Sequence, residues 1–468
     1  MYPEDTIAAV ATPPGEGGVG IVRISGPKAL YVAQAVFAPA RDTCEIRPLR
    51  LYYGTIKDPS TGRAVDNGYM VYMKGPRSFT GEDTVELHCH GGLLVTKKVL
   101  EAVLSAGART AGPGEFTRRA FLNGKLDLSQ AEAVCDLIRA QTESALHSAR
   151  GRLKGGLSRR VNSIKEILLD LLVRVEAELD FAEDEIEETP SKILSEGIER
   201  ARGEIEELVA TYEQGRILKE GVKAAILGRP NTGKSSLLNI LLREERAIVT
   251  DVPGTTRDVI EEVVVIRGLA VRLMDTAGLR DTVDEVESIG VKRARERLKE
   301  AALVLFVVDS SSGDFSGDRD LLETTLGRSR DKKVVVIANK MDLVGEKERI
   351  RGEVEKAFSG RPVVFISALR EEGIGDLEEK IIEEAVGRRH AATEADPGEL
   401  VTSLRHKEAL LRALEGLERA GAAVEGGLAR ELIATDLRWS VDRLGEITGE
   451  TTTEDILDRI FSSFCIGK

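Results

Sequence analysis

The chain has 468 residues, of which 42% are hydrophobic and 31% are charged, and this length is enough for about three globular domains. Its formal net charge of −13 argues against a general nucleic-acid-binding protein, because such proteins attract phosphates with an excess of basic residues. The four cysteines form no C-x-x-C pair, the first residues are not basic and no apolar run is long, which argues against a disulfide framework, a zinc ribbon, a signal peptide and a membrane span. We therefore expect a cytoplasmic protein.

Residues 1–120 are rich in glycine and proline and carry short β-like runs, so we predict a small α+β domain. The predicted strands are 7–11, 20–24, 51–56, 69–73 and 84–89, and a helix is predicted around 95–106. The glycine pattern at 15–20 is followed by a β-like run where a dinucleotide-binding motif requires a helix, so we reject that site. Strand alternation places Glu86, His88 and His90 on one face, where they would bind a metal ion or, as we favour, line a pocket or a packed interface.

Residues 121–217 and 387–468 have the periodicity of long amphipathic helices, for example at 130–147 and 164–179. The segment between them, 218–386, has the pattern of a nucleotide-binding domain. Because the ends of an inserted domain lie close together, we predict that the two helical segments pack as one bundle. The expected fold class is therefore α/β and α multidomain: an N-terminal α+β domain, a discontinuous helical bundle and an inserted Ras-like P-loop domain with a doubly wound sheet.

A basic cluster lies in the first helical segment. No acidic residue interrupts it, and we favour a solvated helix face over a local nucleic-acid contact. Its members are Arg150, Arg152, Lys154, Arg159, Arg160 and Lys165.

The segment 228–235 reads Gly-Arg-Pro-Asn-Thr-Gly-Lys-Ser, which is a P-loop. It follows the strand-like run 222–227 and precedes the helical pattern 237–242, and this is the context that the motif requires. The glycines let backbone N–H groups surround phosphate oxygens. Lys234 then reaches the β- and γ-phosphates, and the Ser235 hydroxyl ligates Mg²⁺.

Three further motifs follow predicted strands in the order that a GTPase requires. The segment 275–278 reads D-x-x-G, with Asp275 near Mg²⁺ and the Gly278 amide near the γ-phosphate. The segment 339–342 ends in Asp342, whose carboxylate accepts two hydrogen bonds from guanine but finds no such donor pair on adenine. The segment 367–369 backs the base. Ligands at the carboxyl ends of parallel strands are typical of a doubly wound sheet.

Two details differ from Ras-like signalling proteins. Leu279 stands where those proteins use a glutamine to orient the attacking water, so another group, in or near the acidic loop 279–287, must do so. Thr256 is the expected Mg²⁺ ligand of switch I. The turn before Thr256 could wrap a monovalent cation with Asn231 as a ligand, or Asn231 could be a turn residue chosen for its left-handed backbone.

The predicted GTP site has the following members, of which Lys234 is also a catalytic candidate: Asn231, Thr232, Gly233, Lys234, Ser235, Ser236, Thr250, Asp251, Val252, Pro253, Gly254, Thr255, Thr256, Asp275, Thr276, Ala277, Gly278, Asn339, Lys340, Met341, Asp342, Ser367, Ala368 and Leu369.

Several segments outside and inside this site carry a resemblance over essentially the whole chain. They are GGVGIVRISG at 17–26, TGED with VELHCHGG at 80–92, PGEFTRRAFLNGKLDLSQAEAV at 113–134, DVPGTTRD at 251–258, DTAGLR at 275–280 and the terminal CIGK at 465–468. With the P-loop, they resemble the MnmE (TrmE) family of tRNA-modification GTPases.

The resemblance implies a homodimer that binds 5-formyl- or 5,10-methylene-tetrahydrofolate and forms a heterotetramer with MnmG, which carries FAD and uses NADH. Together they place an aminomethyl or carboxymethylaminomethyl group on C5 of the wobble uridine of certain tRNAs. The domains would be 1–120 for dimerisation and folate, 121–217 and 387–468 for the helical bundle, and 218–386 for the GTPase.

The resemblance also carries over site residues. The folate contacts fall on Arg23, Glu86, Lys125 and Lys468, and the residue that orients the attacking water falls on Glu287. The potassium ligands fall on Asn231, Thr250, Val252 and Thr255, beside Ser235 and Thr256 for Mg²⁺. Cys465 matches the tail cysteine, for which a catalytic role and a packing or redox-sensitive role both stay open.

Two other functions remain as alternatives. A ribosome-assembly GTPase of the Era or Der kind shares the GTPase motifs, but an Era-like protein would place a basic KH module after them, where this chain has helical periodicity. A membrane-associated signalling GTPase is disfavoured because Gly467 and Lys468 fit a prenylation box poorly.

Overall fold

A computed structural model describes residues 5–41, 45–180, 188–244, 262–274, 300–327, 332–387 and 396–468. The chain divides into two compact units. The first comprises Met1–Cys135, Arg152–Arg202 and Ala409–Lys468, and the second comprises Asp136–Gly151 and Gly203–Glu408. The predicted domain limits differ from this two-way division and stay a prediction. Across the described ranges, no helix combines the length and the apolar composition needed to cross a membrane.

The first unit contains a seven-stranded sheet in the order β3-β4-β5-β6-β2-β1-β7. All neighbours are antiparallel except β1 and β7. The strands are β1 Ile7–Val10, β2 Gly17–Ser25, β3 Phe37–Pro39, β4 Leu51–Lys57, β5 Ala64–Met73, β6 Thr84–Gly91 and β7 Arg109–Thr110. The predicted strands are confirmed, whereas β3 and β7 have too few residues to show an alternating pattern.

Two helices, α1 Ala29–Val36 and α2 Leu93–Ser105, share one apolar core with this sheet. Alternate side chains of β2 and β6, such as Val22 and Leu87, are fully buried in that core. Their neighbours Arg23 and Glu86 therefore point to the opposite face, because successive strand residues alternate between faces.

Some of the helices that follow in the chain belong to the first unit and others to the second. Their bounds are α3 Glu115–Leu122, α4 Leu128–Arg139, α5 Glu143–Leu153, α6 Gly156–Asp180, α7 Ser191–Ala210, α8 Tyr212–Glu220, α13 Leu404–Glu425, α14 Arg430–Thr448 and α15 Glu454–Ser462. Within the first unit, α6 packs along α14, and Lys165 donates a hydrogen bond of 2.5 Å to Glu450. The two helical segments therefore pack together, as predicted.

Two expectations about these helices are wrong. The single helix predicted at 130–147 is two helices, because the Thr142 hydroxyl and carbonyl accept hydrogen bonds from Ala145 and Leu146 and start α5. The basic cluster is only partly solvated: Arg152 is 2% exposed and Lys165 is 7% exposed, whereas Arg150, Lys154 and Arg159 are exposed.

The second unit contains a six-stranded sheet in the order β13-β12-β11-β8-β10-β9, in which β9 alone is antiparallel to its neighbour. The strands are β8 Val222–Leu227, β9 Glu262–Ile266, β10 Leu269–Met274, β11 Leu303–Asp309, β12 Lys333–Asn339 and β13 Val363–Phe365.

Helices cover both faces of this sheet, which confirms the doubly wound fold. One face packs against α9 Lys234–Glu244 and α12 Ile374–Val386, and the other packs against α10 Ser316–Leu326 and α11 Lys347–Ala357. A short 3-10 helix, Met341–Leu343, follows β12. The carboxyl ends of β8, β11 and β12 consequently meet at one edge, where the predicted nucleotide motifs lie.

Candidate nucleotide site and a second polar site

The P-loop connects β8 to α9, and three of its residues have positive φ angles: +146° at Gly228, +62° at Asn231 and +95° at Gly233. A Cβ added at Gly233 would lie 2.2 Å from the Asn339 Nδ2 atom, so a close approach requires this glycine as well as the backbone conformation. Asn231 has a left-handed backbone, which agrees with its interpretation as a turn residue. Asn231 is also exposed, so its side chain is accessible to a ligand.

Lys234 begins α9, and its ammonium donates a hydrogen bond of 2.6 Å to the Arg229 carbonyl. The Thr232 hydroxyl donates to the same carbonyl at 3.0 Å. Burial lowers the pKa of the Lys234 ammonium, because the charged form loses water. An anion at this position would oppose that effect, and the start of α9 beside Lys234 adds a partial positive charge that favours phosphate oxygens.

Asn339 joins the P-loop to the loop that follows β13. Its Nδ2 atom donates to the Thr232 carbonyl at 2.9 Å, and its Oδ1 atom accepts from the Ala368 amide at 2.9 Å. Asn339 is 2% exposed, so both hydrogen bonds are protected from water. One side chain thus holds two predicted segments of the site together.

Asp342 and Ser367 form the predicted base-recognition corner. The Ser367 hydroxyl donates to Asp342 Oδ1 at 2.6 Å and accepts from the Arg370 amide at 3.2 Å. One carboxylate oxygen is therefore fixed by a fully buried serine, which orients the carboxylate. The nearby Leu369 is 83% exposed.

Asp309 is a residue that the sequence analysis missed. It ends β11 at the same sheet edge and accepts a hydrogen bond of 2.6 Å from the Lys340 ammonium. Burial opposes its ionisation, but Lys340 and Ser311 hold the pKa of Asp309 below its usual value. Its position at the carboxyl end of a parallel strand was the available signal.

The structure thus brings together the predicted residues at 231–236, 339–342 and 367–369. The remaining predicted nucleotide, cation and water-orienting positions lie outside the described residues: Thr250, Asp251, Val252, Pro253, Gly254, Thr255, Thr256, Asp275, Thr276, Ala277, Gly278 and Glu287.

A second polar site lies on the face of the first unit's sheet that is opposite α1 and α2. Arg23 and Glu86 are directly opposite on β2 and β6, and Arg23 Nε donates to Glu86 Oε1 at 2.9 Å. His88 Nε2 lies 3.2 Å from Glu86 Oε2. The hydrogen bond from His88 and the Arg23 charge outweigh burial and lower the pKa of Glu86. The ionised contact is thus complete above the usual glutamate pKa of about 4.3 and is lost as the pH falls through the lower folded value.

The metal interpretation of this strand is not supported. His90 pairs with Asp66 at 2.9 Å and is separate from the Glu86–His88 pair. In the portion of the chain that the structure describes, no cluster of three or more acidic, histidine or cysteine side chains has a metal-binding arrangement.

The C-terminal tail docks at this polar site. Ile466 forms an antiparallel bridge with Pro113, and Arg23 Nη1 donates a hydrogen bond of 3.5 Å to the Gly467 carbonyl. Gly467 has φ of +94°, and a Cβ there would lie 2.3 Å from the Val10 carbonyl oxygen. Burial and the Arg23 charge lower the pKa of Lys468, and the Glu86 charge opposes this change.

Lys125 is held at the loop beside this site. Its ammonium donates to the Pro76 carbonyl at 3.0 Å, and Phe79 of the same loop stacks 6.0 Å from the Arg23 guanidinium. The structure therefore places Arg23 against Glu86 and against the Gly467 carbonyl of the tail, and it places Lys125 at the loop that carries Phe79.

Two family models match the chain. The model described as the GTP-binding protein TrmE N-terminus matches residues 6–125, and the MnmE helical domain model matches residues 128–465. The P-loop, Arg23, Glu86 and Lys125 lie within the matched segments, and Gly467 and Lys468 follow the last matched residue.

Curated relatives match over the full length. A protein named tRNA modification GTPase MnmE from Moorella thermoacetica is 48% identical over 468 residues, which cover 99% of this chain and 100% of that protein. A protein of the same name from Syntrophus aciditrophicus is 46% identical over 465 residues, which cover 99% of this chain and 100% of that protein. Among solved structures, the G domain of the T. maritima FeoB iron transporter is 34% identical, covers 35% of this chain and 98% of its own, and has a TM-score of 0.26.

Proposed function

The chain belongs to the MnmE family of tRNA modification GTPases, and on this premise we propose that it couples GTP hydrolysis to the modification of tRNA. As a member of that family it is a GTP hydrolase. One observation carries the proposal: the P-loop, Asn339 and the Asp342–Ser367 pair lie at one edge of a parallel sheet, in a chain that matches its relatives from end to end.

In finer terms, the product is the aminomethyl or carboxymethylaminomethyl group on C5 of the wobble uridine. The chain acts as a homodimer in a heterotetramer with an MnmG-type partner that supplies FAD and NADH chemistry. The domains are 1–120, 121–217 with 387–468, and 218–386. The resemblance of the signature segments supports this assignment. A cytoplasmic location agrees with a tRNA substrate and with the thiols of Cys89 and Cys465, which are not in a disulfide.

At the nucleotide site, Lys234 neutralises phosphate charge and Asp342 selects guanine. Ser235, exposed at the start of α9 beside Lys234, and Thr256 are assigned to Mg²⁺, which supplies positive charge to the transferring phosphoryl group. Asn231 is assigned to K⁺ together with Thr250, Val252 and Thr255. The exposed side chain of Asn231 fits that role.

At the second site, the chain's own charges fit a reduced folate. The Glu86 carboxylate can accept hydrogen bonds from the amide and amino edge of a pterin, while Lys125 and Lys468 can neutralise the glutamate tail. Arg23 is already bound to Glu86 and orients its carboxylate. When bound, the folate supplies a one-carbon unit. Cys465 is an exposed free thiol close enough to Lys468 to affect its pKa, and its catalytic and redox-sensitive roles both stay open.

The first test is nucleoside mass spectrometry on tRNA from cells that lack this chain. Rescue by the intact chain is expected to restore the C5-modified wobble uridine, and rescue by Lys234→Ala is expected to leave it absent, because the phosphates lose their main cationic contact. Lys356→Ala, at an exposed lysine near the end of α11, serves as the control and should rescue fully. Normal uridines in the cells without the chain would contradict the tRNA assignment and favour an Era- or Der-type function.

Folate binding is tested by Glu86→Gln. We expect affinity for 5-formyl-tetrahydrofolate, measured by calorimetry, to fall at least about tenfold, because a charged hydrogen-bond acceptor is lost. GDP affinity should not change. Glu101→Gln, on the exposed side of α2, should leave both affinities unchanged. An unaltered folate affinity in Glu86→Gln would place the folate elsewhere.

Potassium dependence is tested by replacing KCl with NaCl in a GTP hydrolysis assay. Turnover is expected to fall by about tenfold or more, since a cation between the phosphates stabilises developing charge. Asn231→Ala should lose most of this difference between the two salts. Equal rates in both salts for the intact chain would contradict the assignment of K⁺.

A further inference from the structure

Asp318 is a buried acid that the GTPase chemistry described so far does not use. It lies in the first turn of α10, is 4% exposed, and its Oδ1 atom has no hydrogen-bond partner among the residues that the structure describes. Burial raises the pKa of Asp318, as do the charges of Asp309 and Asp314, while Arg229 opposes this. A buried carboxylate with so little compensation costs stability, and such groups persist mainly where function requires them.

Arg229 is the P-loop residue that faces this acid. The Nη1 atom of Arg229 lies 3.9 Å from Asp318 Oδ2. Within the described ranges, Arg229 is the one cationic residue within 4.0 Å of that carboxylate. A Cβ added at Gly317 would lie 3.1 Å from the same Nη1 atom. The missing side chain at Gly317 therefore lets the guanidinium lie against the start of α10.

The neighbouring acids already have partners of their own. Asp309 accepts from Lys340 at 2.6 Å, and Asp314 accepts from the Ser316 amide at 2.9 Å. Arg229 therefore provides the positive charge that offsets the buried charge of Asp318, but the distance between them is longer than a hydrogen bond.

The backbone of Arg229 adds a reason for this contact. Its carbonyl accepts both the Lys234 ammonium and the Thr232 hydroxyl. When Lys234 contacts the phosphates of GTP, it exchanges this carbonyl for phosphate oxygens, and the P-loop loses one internal hydrogen bond. A second anchor for Arg229 would keep the loop in its phosphate-binding shape during that exchange.

We propose that Arg229 and Asp318 are positioning residues of the GTP site, whose ion pair anchors the P-loop to α10 and closes to hydrogen-bond distance when the phosphates bind. The inference goes beyond the proposed function and depends on GTP binding alone, and on neither tRNA nor folate. In this arrangement the cost of the incompletely paired carboxylate is relieved on nucleotide binding, so the pair favours the nucleotide-bound state.

A purely local role for Asp318 predicts something different. An acid in the first turn of a helix interacts favourably with the helix dipole, and removing it slightly destabilises the protein without changing nucleotide affinity. The two roles therefore predict opposite changes in stability and different changes in GDP affinity.

The experiment uses the full chain with Asp318→Asn, Arg229→Ala and the double variant. Calorimetric melting identifies the transition of the nucleotide-binding domain as the one that GDP shifts upward. Without nucleotide, Asp318→Asn should raise that transition by about 2 °C, because an uncompensated buried charge is removed. GDP affinity should fall about tenfold in each single variant and also about tenfold, not a hundredfold, in the double variant.

Two further variants complete the design. Glu323→Gln breaks the hydrogen bond of 2.8 Å from Arg361 to Glu323 on the same helix and should change neither quantity. Arg229→Lys keeps the charge and should recover part of the GDP affinity. Unchanged GDP affinity in both single variants, additive losses, or a lower melting temperature for Asp318→Asn would overturn the inference. If the intact chain itself binds no GDP, the GTPase assignment fails, and the inference fails with it.

Discussion

Replacing Asp342 with asparagine is expected to lower the affinity for GDP by about 10³- to 10⁴-fold. In the proposed guanine contact the carboxylate would accept two hydrogen bonds from the guanine edge, whereas an asparagine would present an amino group to one of those donors and leave a polar group unpaired. The Ser367 hydroxyl fixes one oxygen of Asp342 at 2.6 Å, so the substituted side chain has little freedom to rotate away. Calorimetric titration with GDP measures the loss.

A gain of function provides the second arm of this test. Xanthine carries an oxygen where guanine carries its 2-amino group, so the asparagine amide can donate to it, and XDP should bind Asp342→Asn better than GDP does. Glu348→Gln, an exposed acid in the first turn of α11, is the control and should keep the preference for GDP. If Asp342→Asn still preferred GDP, guanine recognition would have to depend on the loop at 367–369 and not on Asp342.

Replacing Glu287 with alanine is expected to slow GTP hydrolysis by about 10²- to 10⁴-fold while leaving GDP affinity unchanged. Leu279 occupies the position at which Ras-like proteins orient the attacking water with a glutamine, and a hydrocarbon side chain cannot form that hydrogen bond. A water-orienting group acts on the reaction and not on ground-state binding, so the change should appear in kcat. Single-turnover hydrolysis of GTP measures this step directly.

The acidic segment 279–287 provides a matched control for the Glu287 substitution. Glu285→Ala removes the same charge two positions earlier and should change the single-turnover rate little. If Glu285→Ala lost the activity and Glu287→Ala retained it, the water-orienting role would belong to Glu285. A loss of GDP affinity in Glu287→Ala would indicate a structural effect on the site.

Much of the nucleotide site could be predicted from local sequence. The P-loop, the 339–342 segment and the 367–369 segment each follow a short apolar strand, and both features are encoded within a few consecutive residues. Their order along the chain then implies a common sheet edge, because parallel strands end on the same side. The hydrogen bonds of Asn339 to Thr232 and Ala368 connect these segments, and pattern alone does not specify them.

The errors of sequence reasoning have local and tertiary causes. The start of α5 at Thr142 depends on a side-chain hydrogen bond that competes with helix continuation, and amphipathic periodicity does not report it. Lys165 is charged and yet buried because Glu450, far along the chain, provides a partner. Asp318 is also buried, but it faces Arg229 of the P-loop without a hydrogen bond, and no local pattern indicates that pairing.

The sequence by itself determined the order of the elements, the P-loop chemistry and the family resemblance, because each is written in short runs of residues with a strict spacing. Only the tertiary structure decided which charges meet. Arg23 and Gly467 are 444 positions apart. They meet because β2 places Arg23 on the sheet face opposite α1 and α2, while the close approach of Gly467 to Val10 lets the tail lie beside it. Arg229 and Asp318 meet because the carboxyl ends of β8 and β11 adjoin in the sheet. Such pairs follow from strand order and packing, and no local pattern encodes them.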